Sequence, residues 1–254
     1  MSSSKKYKWF FIATMLICGI AVGLYFLKMD RKKKEAAATR YKAFGIYMPE
    51  NYAIHGIDVS KYQEFIHWSG VKNMQVKNIK LGFAFIKATE GLSRKDEQFT
   101  RNWKKANEAG MTCGAYHFFI AGKSGKAQAN FFIKNVKLYS GNLPPVLDIE
   151  HLYNSSAAAL KKELKIFLNT LEAHYKVKPI IYTYAHFYTN YLNEGFDDYP
   201  LWIAHYFEPQ GPRINKQWQF WQHSERGKVN GIKANVDFNV FNGDSADFKQ
   251  LLLP

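Results

Sequence analysis

The 254-residue chain has room for one domain of about 200 residues plus an appendage. Its 47% hydrophobic and 17% aromatic content excludes a largely disordered protein. The net charge of +14 is unevenly spread: residues 1–45 carry ten Lys/Arg against two acids, leaving +6 on the remainder. With no RNP-like, zinc-finger or helix-turn-helix pattern beside it, that charge does not indicate a nucleic-acid partner.

In chain order, a basic segment (1–8) precedes Trp9–Leu27, WFFIATMLICGIAVGLYFL, an uncharged run approaching the length of a bilayer span. Lys5, Lys6 and Lys8 flank it in front, and Lys28 and the RKKK of 31–34 flank it behind. With no A-x-A-like cleavage site following, the reading is an uncleaved transmembrane anchor over 9–27. The heavier basic cluster on the C-terminal side favours keeping that side in the cytoplasm, a rule that weakens for large translocated domains. Residues 28–50 read as a basic stalk. Cys18 lies in the apolar run and Cys113 in a strand-like run, so no disulfide is expected and cysteine use leaves the compartment open.

From residue 51 onward the chain reads as one domain to Pro254. Eight short apolar runs, each carrying polar or charged residues, recur at 54–60, 81–90, 113–119, 144–150, 179–184, 201–206, 220–224 and 236–241. Eight is a barrel count. Crossover helices are predicted at 96–110, 126–140 and 155–175. The last is the clearest, with Leu160, Leu164, Phe167, Leu168 and Leu171 on one face. The late connections, 208–217 and 225–235, are rich in Pro or Gly and lack an apolar stripe. The predicted fold class is α/β: an irregular TIM-like (β/α) barrel whose helices are lost between the last strands.

The fourth run, PPVLDIE, carries the chemistry. Side chains alternate along a strand, so Asp148 and Glu150 share one face while Ile149 takes the other. Crowded carboxylates raise each other's proton affinity and supply an acid near neutral pH. Asp58 closes the first run and Asp237 starts the last, and first and last strands are neighbours in a closed barrel. Four carboxylates then converge, as glycoside hydrolysis through an oxocarbenium-like transition state requires. A metal site using His55, His117, His151 or His205 lacks any recognisable ligand spacing. A serine nucleophile lacks its G-x-S-x-G elbow, and a phosphate loop lacks GxxxxGK[ST].

GIDVSKYQ, FAFIKATEG, AGMTCGAYHFF, LPPVLDIE, IIYTY, LWIAHY, FWQHS and VDFNVF, in that order over residues 54–243, resemble the family 25 glycoside hydrolases, the muramidase-type lysozymes. The resemblance implies cleavage of the β-1,4 bond between N-acetylmuramic acid and N-acetylglucosamine in peptidoglycan, without metal or cofactor. It implies Glu150 as general acid, Asp148 assisting, and Asp58 and Asp237 as the other cleft acids. The intermediate is left open between a carboxylate adduct and an internal one formed by the 2-acetamido group. By the same likeness Lys87, Tyr116, Tyr182, Trp202 and Gln222 are sugar contacts. Two positions depart from the family pattern: Glu64 stands where Gly is expected, and His67 where Asp is expected. A wall-binding module without turnover, or a hydrolase of another N-acetylhexosamine polymer such as chitin, are the rival readings. With peptidoglycan as partner, the expected location is the cytoplasmic membrane, single-pass, with the domain on the periplasmic or extracellular side.

Overall fold

The computed structural model describes residues 15–16, 19–29, 38–208 and 210–254. In chain order the folded part runs β1 (Ala38–Tyr41), β2 (Ile46–Pro49), β3 (Ile54–Val59), α1 (Trp68–Asn73), β4 (Gln75–Val76), β5 (Ile79–Glu90) and β6 (Arg94–Lys95). It continues through α2 (Phe99–Glu108), β7 (Thr112–Phe118), α3 (Gly125–Asn135), β8 (Val146–Asp148), α4 (Ala157–Tyr175) and β9 (Ile180–Tyr184). Helical turns over 185–192 precede β10 (Leu201–Ala204), β11 (Phe220–Gly227), β12 (Val236–Phe241) and α5 (Ser245–Leu251).

Strands β3, β5, β7, β8, β9, β10 and β11 pair in parallel sequence, and β12 closes the ring between β11 and β3, antiparallel to both. This is the expected irregular barrel. The helices predicted at 96–110, 126–140 and 155–175 form as α2, α3 and α4, and among the described residues no helix joins β10 to β11 or β11 to β12. α3 and α4 begin at Ser124 and Ser156, whose hydroxyls accept from the backbone N–H of Ala127 and Ala159. α4 buries the predicted stripe Leu160, Leu164, Phe167, Leu168 and Leu171.

Strand periodicity sorts the apolar residues into two cores. Phe83, Phe85, Tyr116, Val146, Ile180, Tyr182, Trp202, Phe220 and Phe241 fill the barrel interior, with Phe248 of α5 joining them. Their sequence neighbours Ala84, Ile86, Ala115, Leu147, Ile181 and Ile203 face the helices. The interior aromatics of β5 fit because the strands paired with it carry glycine in register, Gly56 beside Phe83 and Gly114 beside Phe85. A Cβ on Gly56 would lie 2.5 Å from the Phe83 ring, and one on Gly114 the same distance from Phe85.

The fold begins before the barrel. Residues 28–50 are expected as stalk, yet 38–49 form the β1–β2 hairpin, whose Phe44 and Met48 are fully buried. Phe44 packs against Phe238 at 5.2 Å between ring centroids, and its carbonyl accepts from the Lys228 N–H at 2.8 Å. The reason is the apolar alternation of Phe44, Ile46 and Met48, which needs a surface to cover it. Residues 15–16 and 19–29 are helical, with Leu16, Leu24 and Leu27 exposed. The rest of the expected 9–27 anchor, and all of the 1–8 segment, lie outside the described residues. Among those described, no helix is long and apolar enough to cross a membrane.

Candidate active site

The parallel strands all end at one mouth of the barrel, where the helix connections begin. Because β12 runs the other way, its first residues arrive at that same mouth, and Asp237 becomes the direct partner of Asp58. The next inward residue of β12, Asn239, faces Asp58 as well. Asn239 Nδ2 and Gln222 Nε2 each donate to Asp58 Oδ2 at 2.8 Å. The two amides are held from behind. Gln222 Oε1 accepts from the hydroxyls of Tyr182 (2.8 Å) and Tyr206 (2.6 Å), and Asn239 Oδ1 accepts from Trp202 Nε1 at 2.7 Å. Burial raises Asp58 to about 6, opposed by these two amide hydrogen bonds and reinforced by the charge of Glu150.

Asp148 ends β8 and Glu150 follows two residues on. Leu147 and Ile149 join the helix-facing core, so the two acids face inward as the alternation requires. Asp148 is buried and its Oδ1 has no hydrogen-bond partner among the described residues. Burial, then the charge of Glu150, push Asp148 well above the ordinary carboxylate range. Glu150 is the more open member, its side chain 17% exposed with His151 Nε2 at 3.8 Å. Burial raises Glu150, against the charges of His151 and Lys87 and hydrogen bonds with Asp148 and Tyr184. Asp237 is pushed up to about 9 by burial and by the charges of Asp58, Glu225 and Glu150. Burial thus raises all four acids; at neutral pH Asp237, pushed to about 9, keeps its proton while Asp58, at about 6, is mostly ionised.

All four expected acids therefore meet. The five expected sugar contacts are placed differently from one another. Lys87 faces the acid pair closely enough to lower both members, and it is ion-paired with Glu90 at 2.8 Å. Tyr116 and Tyr182 line the interior just below the acids, and Gln222 is tied to Asp58. Trp202 is only 2% exposed and stacks on Phe85 with ring centroids 4.2 Å apart, so it lies beneath the mouth. Asn239, Tyr184, Tyr206 and Glu90 are site residues the sequence reading missed. For Asn239 the signal was present: it stands two residues after Asp237 on the same strand face. Tyr62, Tyr153 and Phe207, in the loops after β3, β8 and β10, are strongly exposed around the same mouth. The histidines do not gather. His117 is bonded to Thr89 and Gln128 outside the barrel, His55 is buried at the start of β3, His151 is beside Glu150, and His205 is beside Glu208.

The family model described as Glycosyl hydrolases family 25 matches residues 57–232. The chain belongs to glycosyl hydrolase family 25. It is 44% identical to the Escherichia coli O157:H7 protein YegX over 82% of this chain and 76% of that one. It is 39% identical to Lysozyme M1 of Streptomyces globisporus over 76% of this chain and 69% of that one. Among solved structures, the lysozyme of Streptomyces coelicolor superposes with a TM-score of 0.73 at 35% identity, covering 80% of this chain and 98% of that one. A family 25 glycosyl hydrolase from Bacillus anthracis gives 0.72 at 33% identity, covering 84% and 99%. In this family 25 chain the two departures have structural consequences. Glu64 adopts φ 50°, a backbone state that favours glycine, and His67 sits at the N-cap of α1 without a side-chain capping bond.

Proposed function

We propose that this family 25 glycoside hydrolase is an N-acetylmuramidase that hydrolyses the β-1,4 bond following N-acetylmuramic acid in peptidoglycan. The observation that carries the reading is the pair Asp148 and Glu150 sharing one inward face at the barrel mouth, with Asp58 close enough for its charge to raise Asp148. Burial raises the proton affinity of Glu150, and Glu150, open to the cleft, passes its proton to the leaving glycosidic oxygen. The negative charge then left on the pair, with Asp58 opposite, stabilises positive charge developing at the anomeric carbon. Asp148 Oδ1, buried and without a donor among the described residues, is available to polarise a substrate amide or to orient a water. Tyr62, Tyr153 and Phe207 offer aromatic faces to a glycan strand outside the pocket, while Tyr116, Tyr182 and Gln222 contact the sugar at its floor.

The test is digestion of purified peptidoglycan by a chain beginning at residue 37, with fragments weighed by mass spectrometry. New muramic-acid reducing ends are expected, and Glu150→Gln lowers their release by at least about a hundredfold, because an amide has no acid proton to give. Binding to the wall without release, or equal release by Glu150→Gln, rejects this assignment. Chitin fragments in a parallel digest identify the other polymer.

The uncharged run 9–27 with lysines on both sides supports membrane tethering. The outer side is chosen for the catalytic domain because peptidoglycan is found there, against the charge bias of the cluster at 31–34. Membrane fractionation of the full chain tests the tether. A reporter fused after Pro254 that is active only in the cytoplasm rejects the orientation.

A further inference from the structure

Asp58 is held by an arrangement with a fixed sense. Both of its donors among the described residues reach the same oxygen, Oδ2, and none of those residues donates to Oδ1. An amide side chain can be reversed, exchanging its donor and acceptor ends, unless its partners forbid it. The indole N–H of Trp202 is a donor with no acceptor capacity, so Asn239 must turn its oxygen to Trp202 and its NH₂ to Asp58. Gln222 takes the same sense because the Asp58 carboxylate only accepts, and its Oε1 then takes both tyrosine hydroxyls, one on each lone pair. These six side chains come from β3, β9, β10, β11, β12 and the turn after β10, so the relay exists only when the barrel is closed.

We infer that Trp202, through Asn239, and Tyr182 with Tyr206, through Gln222, are positioning residues that keep Asp58 an acceptor-only carboxylate whose Oδ1 is left for the substrate. The inference rests on the muramidase reading for what Oδ1 meets, but the relay itself does not need turnover to be observed. Its chemical sense follows from charge. Two amide N–H groups on one oxygen stabilise the anion, whereas a reversed amide would present an oxygen that only a protonated Asp58 satisfies. The relay therefore favours the anion of Asp58 against the burial that raises it, beside an Asp237 that keeps its proton at neutral pH. Trp202 thereby acquires a role beneath the sugar rather than against it.

Trp202→Phe removes the N–H while keeping a ring to stack on Phe85. Tyr206→Phe removes one of the two hydroxyls on Gln222. Other titratable groups that face Asp58 are Tyr116, Asp148, Glu150, Tyr182 and Asp237, all unchanged in the Trp202 variant. Carboxyl-detected NMR titration of the wild type and both variants is expected to show Asp58 titrating about one pH unit higher in Trp202→Phe, and higher by less in Tyr206→Phe. The acid limb of kcat/KM moves up with it and KM stays near the wild-type value. Asp58 titrating at the wild-type pH in both variants, with KM alone raised, overturns the inference and makes these residues sugar contacts. If Trp202→Phe does not fold, Tyr206→Phe decides, since Tyr206 lies at the partly open mouth. A wild-type chain that releases no muramic acid rejects the proposed activity and leaves the NMR test intact.

Discussion

Asp237 on β12 is the direct Cα partner of Asp58 on β3, so the barrel closes by placing two carboxylates side by side across its last ladder. The two are treated unequally. Asp58 receives two amide donors, while Asp237 is raised by burial and by the charge of Asp58 beside it. At neutral pH this geometry gives an anion next to a neutral acid.

That inequality predicts how stability depends on pH. Asp237 rises from 3.8 to about 9 on folding, so the folded chain binds the proton more tightly than the unfolded one. Its effect on stability is therefore most favourable below the unfolded value and is lost as pH climbs toward the folded one. Replacing the acid by its neutral isostere removes this loss. Asp237→Asn is expected to raise the melting temperature by on the order of 5 °C near pH 8 and to leave it unchanged near pH 3. Melting curves at the two pH values check this, and equal shifts at both contradict it.

The interior packing makes Gly56 sensitive. A methyl group there meets Phe83 at 2.5 Å, inside a layer also holding Phe85 and Phe220, which leaves the ring little space to retreat. Gly56→Ala is expected to cost about 2 kcal/mol, seen as a lower urea midpoint with an unchanged slope. A midpoint equal to the wild type shows that the ring yields freely.

The first loop carries two correctable features. Glu64 holds φ 50° and His67 leaves the N-terminus of α1 without a side-chain cap. Glu64→Gly relieves the backbone strain and His67→Asp supplies the missing acceptor. Each is expected to stabilise by about 1 kcal/mol. The effects should show in urea unfolding, and a loss of stability in either removes the corresponding explanation.

The amino-terminal hairpin is expected to belong to the cooperative unit. Beginning the chain at residue 50 instead of 37 uncovers the surface under Phe44 and Met48 and removes the Lys228 N–H bond to the Phe44 carbonyl. The shorter chain should lose about 3 kcal/mol of stability, read from paired denaturation curves. Coincident curves indicate that the hairpin folds apart from the barrel.

What the sequence by itself determined is what local period encodes. The eight runs, the inward pairing of Asp148 with Glu150, the stripe of α4 and the missing late helices follow from spacings of two and about 3.6 residues and from turn composition. The ordered motifs added the family. Closure of the barrel decided the rest. Asp237 opens its run while the other acids close theirs, and only the reversal of β12 brings it to the same mouth. Trp202 and Lys87 are both expected as sugar contacts, and the register sets the first under Asn239 and the second against Glu90. The hairpin over 38–49 likewise gains its order from the barrel surface it covers. These outcomes depend on which distant residue arrives opposite, a matter of register and strand direction that no local spacing specifies.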